Sequence, residues 1–163
     1  MTRTLILMRH AKSSWNKAGP DHDRPLNDRG RRSAAALGEW LHRKHYLPDE
    51  ALVSSAARTM ETWQRLDLDT VLRVEPQLYH ADAELMLRVL RKADGKTVLV
   101  LGHNPGIADF AHLLLARPPE HPRFDAFPTC ATLVCRLPAT WSDAAFGCAE
   151  PLDFTVPRDL GVE

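Results

Sequence analysis

Two short runs settle most of what this chain can fold into. Thr4-Leu5-Ile6-Leu7-Met8 and Thr97-Val98-Leu99-Val100-Leu101 are apolar at every position after the leading threonine, and the first stops abruptly at Arg9-His10. A strand with one wet face alternates apolar and polar residues. A strand buried on both faces reads as a continuous apolar run, the pattern of a parallel sheet covered by helices. The segments between the runs supply the helices. Asn27 to Lys44 opens on the cap-type residues Asn27 and Asp28 and sets Ala34, Leu37, Trp40 and Leu41 at helical spacing. Ala51 to Ser54 predicts a second strand, Arg58 to Leu66 a second helix, Leu72 to Val74 a weaker extended piece and Asp82 to Lys92 an amphipathic helix. Pro105 fits the first turn of a helix running to about Ala116. Arg117 to Pro128, with prolines at 118, 119, 122 and 128, reads as a loop, followed by a strand over Thr132 to Leu137; the residues beyond show no clear pattern. The alternation predicts an α/β fold, a three-layer α/β/α sandwich around a mostly parallel sheet, built as one domain over residues 1–163.

Charge narrows the classes of partner. Lys and Arg total 21, as do Asp and Glu, so the chain lacks the strong positive field that binding to nucleic acid or an anionic membrane usually needs. A phosphate-bearing partner would have to be gripped locally. No apolar run approaches the roughly 20 residues of a membrane span, and Thr4 to Met8 is too short for a signal-peptide core, so the expected location is cytoplasmic. Cys130, Cys135 and Cys148 are odd in number and lack C-x-x-C spacing, and are read as reduced packing residues rather than a zinc site or disulfide frame.

In an open α/β sheet the ligand crevice lies outside the carboxyl ends of the strands. Here the first strand runs into Arg9-His10-Ala11-Lys12-Ser13-Ser14-Trp15-Asn16, the second into Ser54-Ser55-Ala56-Ala57-Arg58, and the run at 97–101 into Gly102-His103-Asn104-Pro105-Gly106. Two histidines and two arginines would therefore meet at one edge. That set makes sense for phosphoryl transfer. Planar guanidinium groups match the equatorial phosphoryl oxygens bidentately, and a neutral imidazole can attack phosphorus in line and later leave. With arginines supplying the positive charge, the chemistry calls for no metal and no cofactor. Taken singly, each residue also has a bland reading: His10 a satisfied structural side chain, Arg58 a surface residue, His103 the organiser of a turn. Their joint placement at three strand ends favours the chemical one.

At these positions the sequence resembles the histidine phosphatase superfamily, the phosphoglycerate-mutase-like branch whose opening signature is Arg-His-Gly-x-Ser-x-x-Asn. Arg9 to Asn16 matches it except that Ala11 replaces the glycine. Ser54 to Arg58, followed by Thr59 and Thr62, matches the second motif, and His103 the third. The short chain, Asp21-His22-Asp23-Arg24-Pro25-Leu26-Asn27 and Gly102 to Gly106 are most similar to SixA-type phosphohistidine phosphatases, a likeness covering about residues 4–135. The resemblance implies that His10 is the nucleophile and that Arg9, Arg58 and a cationic His103 hold the phosphoryl oxygens. It implies a substrate-binding part for Asn16. Arg24 becomes a phosphate-side candidate, with a salt bridge to Asp23 or Asp28 as its alternative.

The pattern departs from longer relatives at the proton donor. They use a glutamate in mid-chain, and here Glu75, His80, Asp82 and Glu84 all remain open. A weak acid suits phosphohistidine, whose imidazole leaves with less help than an alkoxide. The expected substrate is thus phosphohistidine on a partner protein, read from an open, shallow site. The alternatives are a small phosphorylated metabolite, held in a deeper pocket built from the segment before Arg24 and the loop 117–128, and a module that recognises phosphate without turning it over. A mutase is disfavoured by the short chain. Trp15, next to the site, is expected to cover the crevice rather than to meet a partner.

Overall fold

The computed structural model describes residues 2–16 and 18–162. The chain lays down β1 (Arg3–Arg9), α1 (Asp28–Arg43), β2 (Glu50–Val53), α2 (Ala57–Leu66), β3 (Val71–Val74), α3 (Ala83–Leu90), β4 (Thr97–Gly102), α4 (Gly106–Leu114), β5 (Thr132–Leu137) and β6 (Glu150–Thr155). The strands form one six-stranded sheet in the order β3-β2-β4-β1-β5-β6. β3, β2, β4 and β1 run parallel, and β5 is antiparallel to both β1 and β6.

The two apolar runs occupy the middle of this sheet, side by side, with Leu5 opposite Val98 and Met8 opposite Leu101. Because successive side chains point to opposite faces, each run feeds two cores. Leu5, Leu7, Val98 and Val100 pack with Met86, Leu90, Ile107 and Phe110 from α3 and α4. Ile6, Met8, Leu99 and Leu101 pack with Leu37, Leu41, Trp63 and Leu66 from α1 and α2. Three layers result, and every residue from Leu5 to Met8 is fully buried. Each such aliphatic side chain contributes about 1.5–3 kcal/mol relative to exposure.

Local chemistry sets the helix ends. The Asn27 side chain accepts from the Gly30 N–H at 2.8 Å to start α1, and Asp82 accepts from the Leu85 N–H at 2.9 Å to start α3. Two glycines are required by close approach: a Cβ at Gly38 would collide with the Leu66 carbonyl where α1 crosses α2, and one at Gly106 with the Ala81 carbonyl ahead of α3. The second contact brings the segment 79–82 against the start of α4, beside the site.

Several expected boundaries shift. α4 begins at Gly106 with Pro105 as its N-cap residue, the Asn104–Pro105 bond is cis, and the helix ends at Leu114 rather than Ala116. α3 is shorter than expected, Ala83–Leu90. The undeciphered C-terminal part holds β6, whose pairing with β5 shifts register between Val134 and Cys135. Residues 118–122 of the proline-rich loop lie at the surface, while Phe124 and Phe127 further along it are buried in the core with Phe154. All three cysteines are unpaired. Burial pushes the Cys130 thiol up to about 12 and raises Cys135 further, which suits inert packing residues.

Candidate active site

The carboxyl ends of β1, β2 and β4 deliver Arg9-His10, Ser54 and His103 to one edge, and the first turn of α2 adds Arg58. His10, Arg58 and His103 are each 7% exposed. The backbone around His10 is tied on three sides: its N–H donates to Gly102 O at 3.1 Å, its carbonyl accepts from the Cys130 N–H at 2.9 Å, and the next N–H, of Ala11, donates to Thr62 Oγ1 at 3.0 Å. The His10 Nδ1 lies 2.7 Å from the Ala11 carbonyl. A carbonyl only accepts, so Nδ1 carries the hydrogen and Nε2 keeps its lone pair. Burial, reinforced by the positive charges of Arg9, Arg58 and Arg24, holds the His10 pKa down at about 3 despite the bond to Ala11. The imidazole is therefore neutral at neutral pH, with Nε2 the free nitrogen.

His103 lies 5.2 Å from His10, ring centre to ring centre. Its Nε2 shares a 2.8 Å hydrogen bond with Ser54 Oγ, and its buried Nδ1 has no partner. Burial, then the neighbouring His10 and Arg58, lower its pKa to about 3, more than Asp21 can offset.

Sequence reasoning missed the residue that organises the arginines. Asp21 accepts from Arg58 Nη2 at 3.1 Å, from Arg24 Nε at 2.9 Å and from the Tyr79 hydroxyl at 2.5 Å, while its backbone carbonyl accepts from Arg58 Nη1 at 2.9 Å. The Tyr79 hydroxyl, followed by Arg24 and Arg58, holds the Asp21 carboxyl well below the usual carboxylate range. Tyr79 also stands edge-on to both His22 and His103. Asp21 belonged to the segment 21–27 noted in the sequence, but only Arg24 was singled out there; nothing local distinguishes a carboxylate that will meet α2 from one that will meet solvent.

Arg24 is a site neighbour, 9% exposed, with Nη1 2.5 Å from Ser13 Oγ. Its ion pair is with Asp21, not with Asp23 or Asp28, because the 3-10 turn over Asp21–Asp23 folds Asp21 back beneath the guanidinium. Trp15 packs on the Arg24 guanidinium at 3.6 Å and stays 78% exposed. The fold does not gather Asn16 into the cluster. It is exposed, and its side chain makes no hydrogen bond among the described residues.

Arg9 Nε, Arg58 Nε, His103 Nδ1 and Asn104 Oδ1 are buried polar atoms without partners. Such groups are rare in native interiors, where water, an ion or a ligand satisfies them. Phe127 O anchors both Arg9 Nη1 at 3.3 Å and Asn104 Nδ2 at 3.0 Å, which fixes these two side chains in place. Beside His103 opens a depression of about 200 Å³ lined by Tyr79, His80, Asp82, Asn104 and Asp109. Of the four acid candidates it receives His80 and Asp82. Glu84 lines the adjoining groove with His112, and Glu75 is engaged by Gln77 at 3.1 Å. Among the described residues, no three His, Cys, Asp or Glu side chains cluster as a metal site would require.

Comparison with known proteins agrees with this geometry. Residues 5–82 match the model of the histidine phosphatase superfamily, branch 1. A structure from Nakamurella multipartitia, assigned as the phosphohistidine phosphatase SixA, superposes with a TM-score of 0.84 at 31% identity, covering 96% of this chain and 97% of that one. The chain belongs to the histidine phosphatase superfamily and is of SixA type. A second SixA structure, from Agrobacterium tumefaciens, gives a TM-score of 0.78 at 25% identity over 95% of this chain and 99% of that one. An uncharacterized protein of Mycobacterium tuberculosis is 33% identical over 158 residues, 93% of this chain and all of the relative. For a histidine phosphatase the sheet order matters in one respect: β1 and β4 are neighbours, and that adjacency is what sets the two candidate histidines ring to ring.

Proposed function

We propose that this chain is a metal-independent phosphatase that passes a phosphoryl group through His10, and that its substrate is phosphohistidine on a partner protein. The observation that carries the reading is the His10 Nδ1 hydrogen bond to Ala11 O, which leaves Nε2 unprotonated beside the unpartnered nitrogens of Arg9, Arg58 and His103. In the first step Nε2 attacks phosphorus in line, the bond from phosphorus to the leaving nitrogen breaks, and that imidazole takes up a proton. In the second, water attacks phosphorus, the bond to Nε2 breaks, and inorganic phosphate leaves. Arg9 and Arg58 carry the charge on the equatorial oxygens. His103 becomes cationic only when a phosphoryl dianion sits against it. His10 keeps its Nδ1–H on Ala11 throughout.

The protein substrate is favoured by the shallow depression beside His103, about 200 Å³ and open to solvent. The loop 117–128, which could have built a wall over it, is committed to the core through Phe124 and Phe127. An open edge admits a side chain presented by a folded partner, whereas a small metabolite would gain from enclosure. The same reading takes residues 1–163 as one catalytic domain working in the cytoplasm. Among the described residues, no helix is long and apolar enough to cross a membrane.

The deciding experiment is hydrolysis of a phosphohistidine-bearing protein against a panel of phosphate monoesters, in chelator, with His10→Ala as control. Chelator-insensitive turnover confined to phosphohistidine supports the proposal. A preference for a monoester transfers the same chemistry to a small substrate, and no turnover of either points to a phosphate-recognition module.

A further inference from the structure

A second cationic site lies behind the catalytic edge. Lys12, Arg29, Arg123 and Arg158 converge on a cavity of about 170 Å³ whose remaining wall is Ser33, Pro128, Thr129, Val156 and Pro157. These residues come from four places in the chain: the loop after β1, the first two turns of α1, the approach to β5 and the turn after β6. None of these four forms an ion pair among the described residues, although six other arginines, Arg24 and Arg58 among them, pair with carboxylates and several more do not. In a chain with no net charge, four unneutralised cations around one hollow with no acidic residue in its wall is a local concentration that the fold maintains against mutual repulsion. Ser33 and Val156 are buried, and the two prolines stiffen the rim, so the hollow is built rather than fluid.

We propose that this cavity binds a phosphate-bearing anion of pyrophosphate size. Three guanidinium groups and an ammonium offer bidentate and point-charge donors together, the combination suited to phosphate oxygens, and the Ser33 and Thr129 hydroxyls can complete the shell. The site is distinct from the catalytic one yet shares a wall with it: Lys12 is two residues beyond His10, and Pro128-Thr129 lead directly into Cys130, whose N–H holds the His10 carbonyl. Occupancy would therefore be felt at the His10 backbone.

Titration calorimetry with inorganic pyrophosphate tests this without reference to turnover. The expected result is two binding events for the wild type, one of them retained in Arg58→Ala. In Arg29→Gln/Arg158→Gln the event that Arg58→Ala retains should weaken at least tenfold. Arg123→Gln serves as an independent variant should the double one lose its thermal transition, and it should weaken the same event several-fold. A nucleoside diphosphate titrated in parallel separates the sources. Tighter binding of pyrophosphate assigns a free anion, and tighter binding of the nucleoside diphosphate assigns an anion carried on a larger molecule. Pyrophosphate binding unchanged in both Gln variants overturns the proposal.

Discussion

Asp21 and Arg58 are joined twice, by Nη2 to the Asp21 carboxylate at 3.1 Å and by Nη1 to the Asp21 carbonyl at 2.9 Å. The pair leaves only Arg58 Nε unpartnered and fixes the guanidinium before any ligand arrives. Preorganised charge of this kind needs no reorganisation when the anion binds. Removing the arginine takes away a charged donor that is itself buried. Arg58→Ala should weaken tungstate or inorganic phosphate binding at the catalytic edge by about 2 kcal/mol, roughly thirtyfold in Kd. Equilibrium titration measures it, and an unchanged curve would remove Arg58 from the site.

His10 is the only imidazole of the pair whose tautomer is set by a backbone carbonyl. If Nε2 is the phosphoryl acceptor, His10→Ala lowers turnover at least about a thousandfold, since the covalent step has no other nucleophile. Acid-stable isolation is not expected of the intermediate, because phosphohistidine is acid-labile; alkaline quenching with labelled substrate should trap it on the wild type only. Activity within a few-fold of wild type would dismiss the covalent mechanism.

The two site histidines make stability depend on pH in a predictable direction. Both have folded-state pKa values lowered to about 3, against an ordinary value of 6.5, so between these limits the unfolded chain binds more protons than the folded one. Stability is then fully present above about pH 6.5 and drains away as the pH falls toward 3, the opposite of a histidine that gains an acidic partner on folding. Asp21, whose folded pKa is also depressed, adds a further loss only below the ordinary carboxylate range. Urea unfolding should lose about 2 kcal/mol or more between pH 7 and pH 5, and His103→Gln should flatten that slope. A flat wild-type profile would contradict neutral burial of these groups.

At an exposed mid-helix position, replacing glycine by alanine gains about 1 kcal/mol. Gly38 should behave in reverse, because its Cβ would meet the backbone of Leu66 rather than a movable side chain. Gly38→Ala is expected to destabilise by about 1–3 kcal/mol in chemical denaturation, as overpacked sites do. Stabilisation would show that α1 and α2 can separate at no penalty.

The amino-acid sequence alone determined the parallel centre of the sheet and the gathering of histidine and arginine at its carboxyl edge, and the reason is local in both cases. An uninterrupted apolar run such as Leu5 to Met8 has few places to go except between two helical layers. His10 and His103 follow directly on β1 and β4, and Arg58 opens the helix after β2, so the strand pattern placed them at one edge. What the tertiary structure alone decided rests on contacts between distant segments. Asp21 reaches Arg58 across 37 positions, and Tyr79 reaches Asp21 across 58. Phe124 and Phe127 draw a loop that reads as surface into the core. The protonation of His103 follows the same rule. Burial lowers its pKa first, and the neighbouring His10 and Arg58 lower it further, against Asp21 alone. Burial and long-range pairing are properties of the folded chain, so no window of sequence could show them.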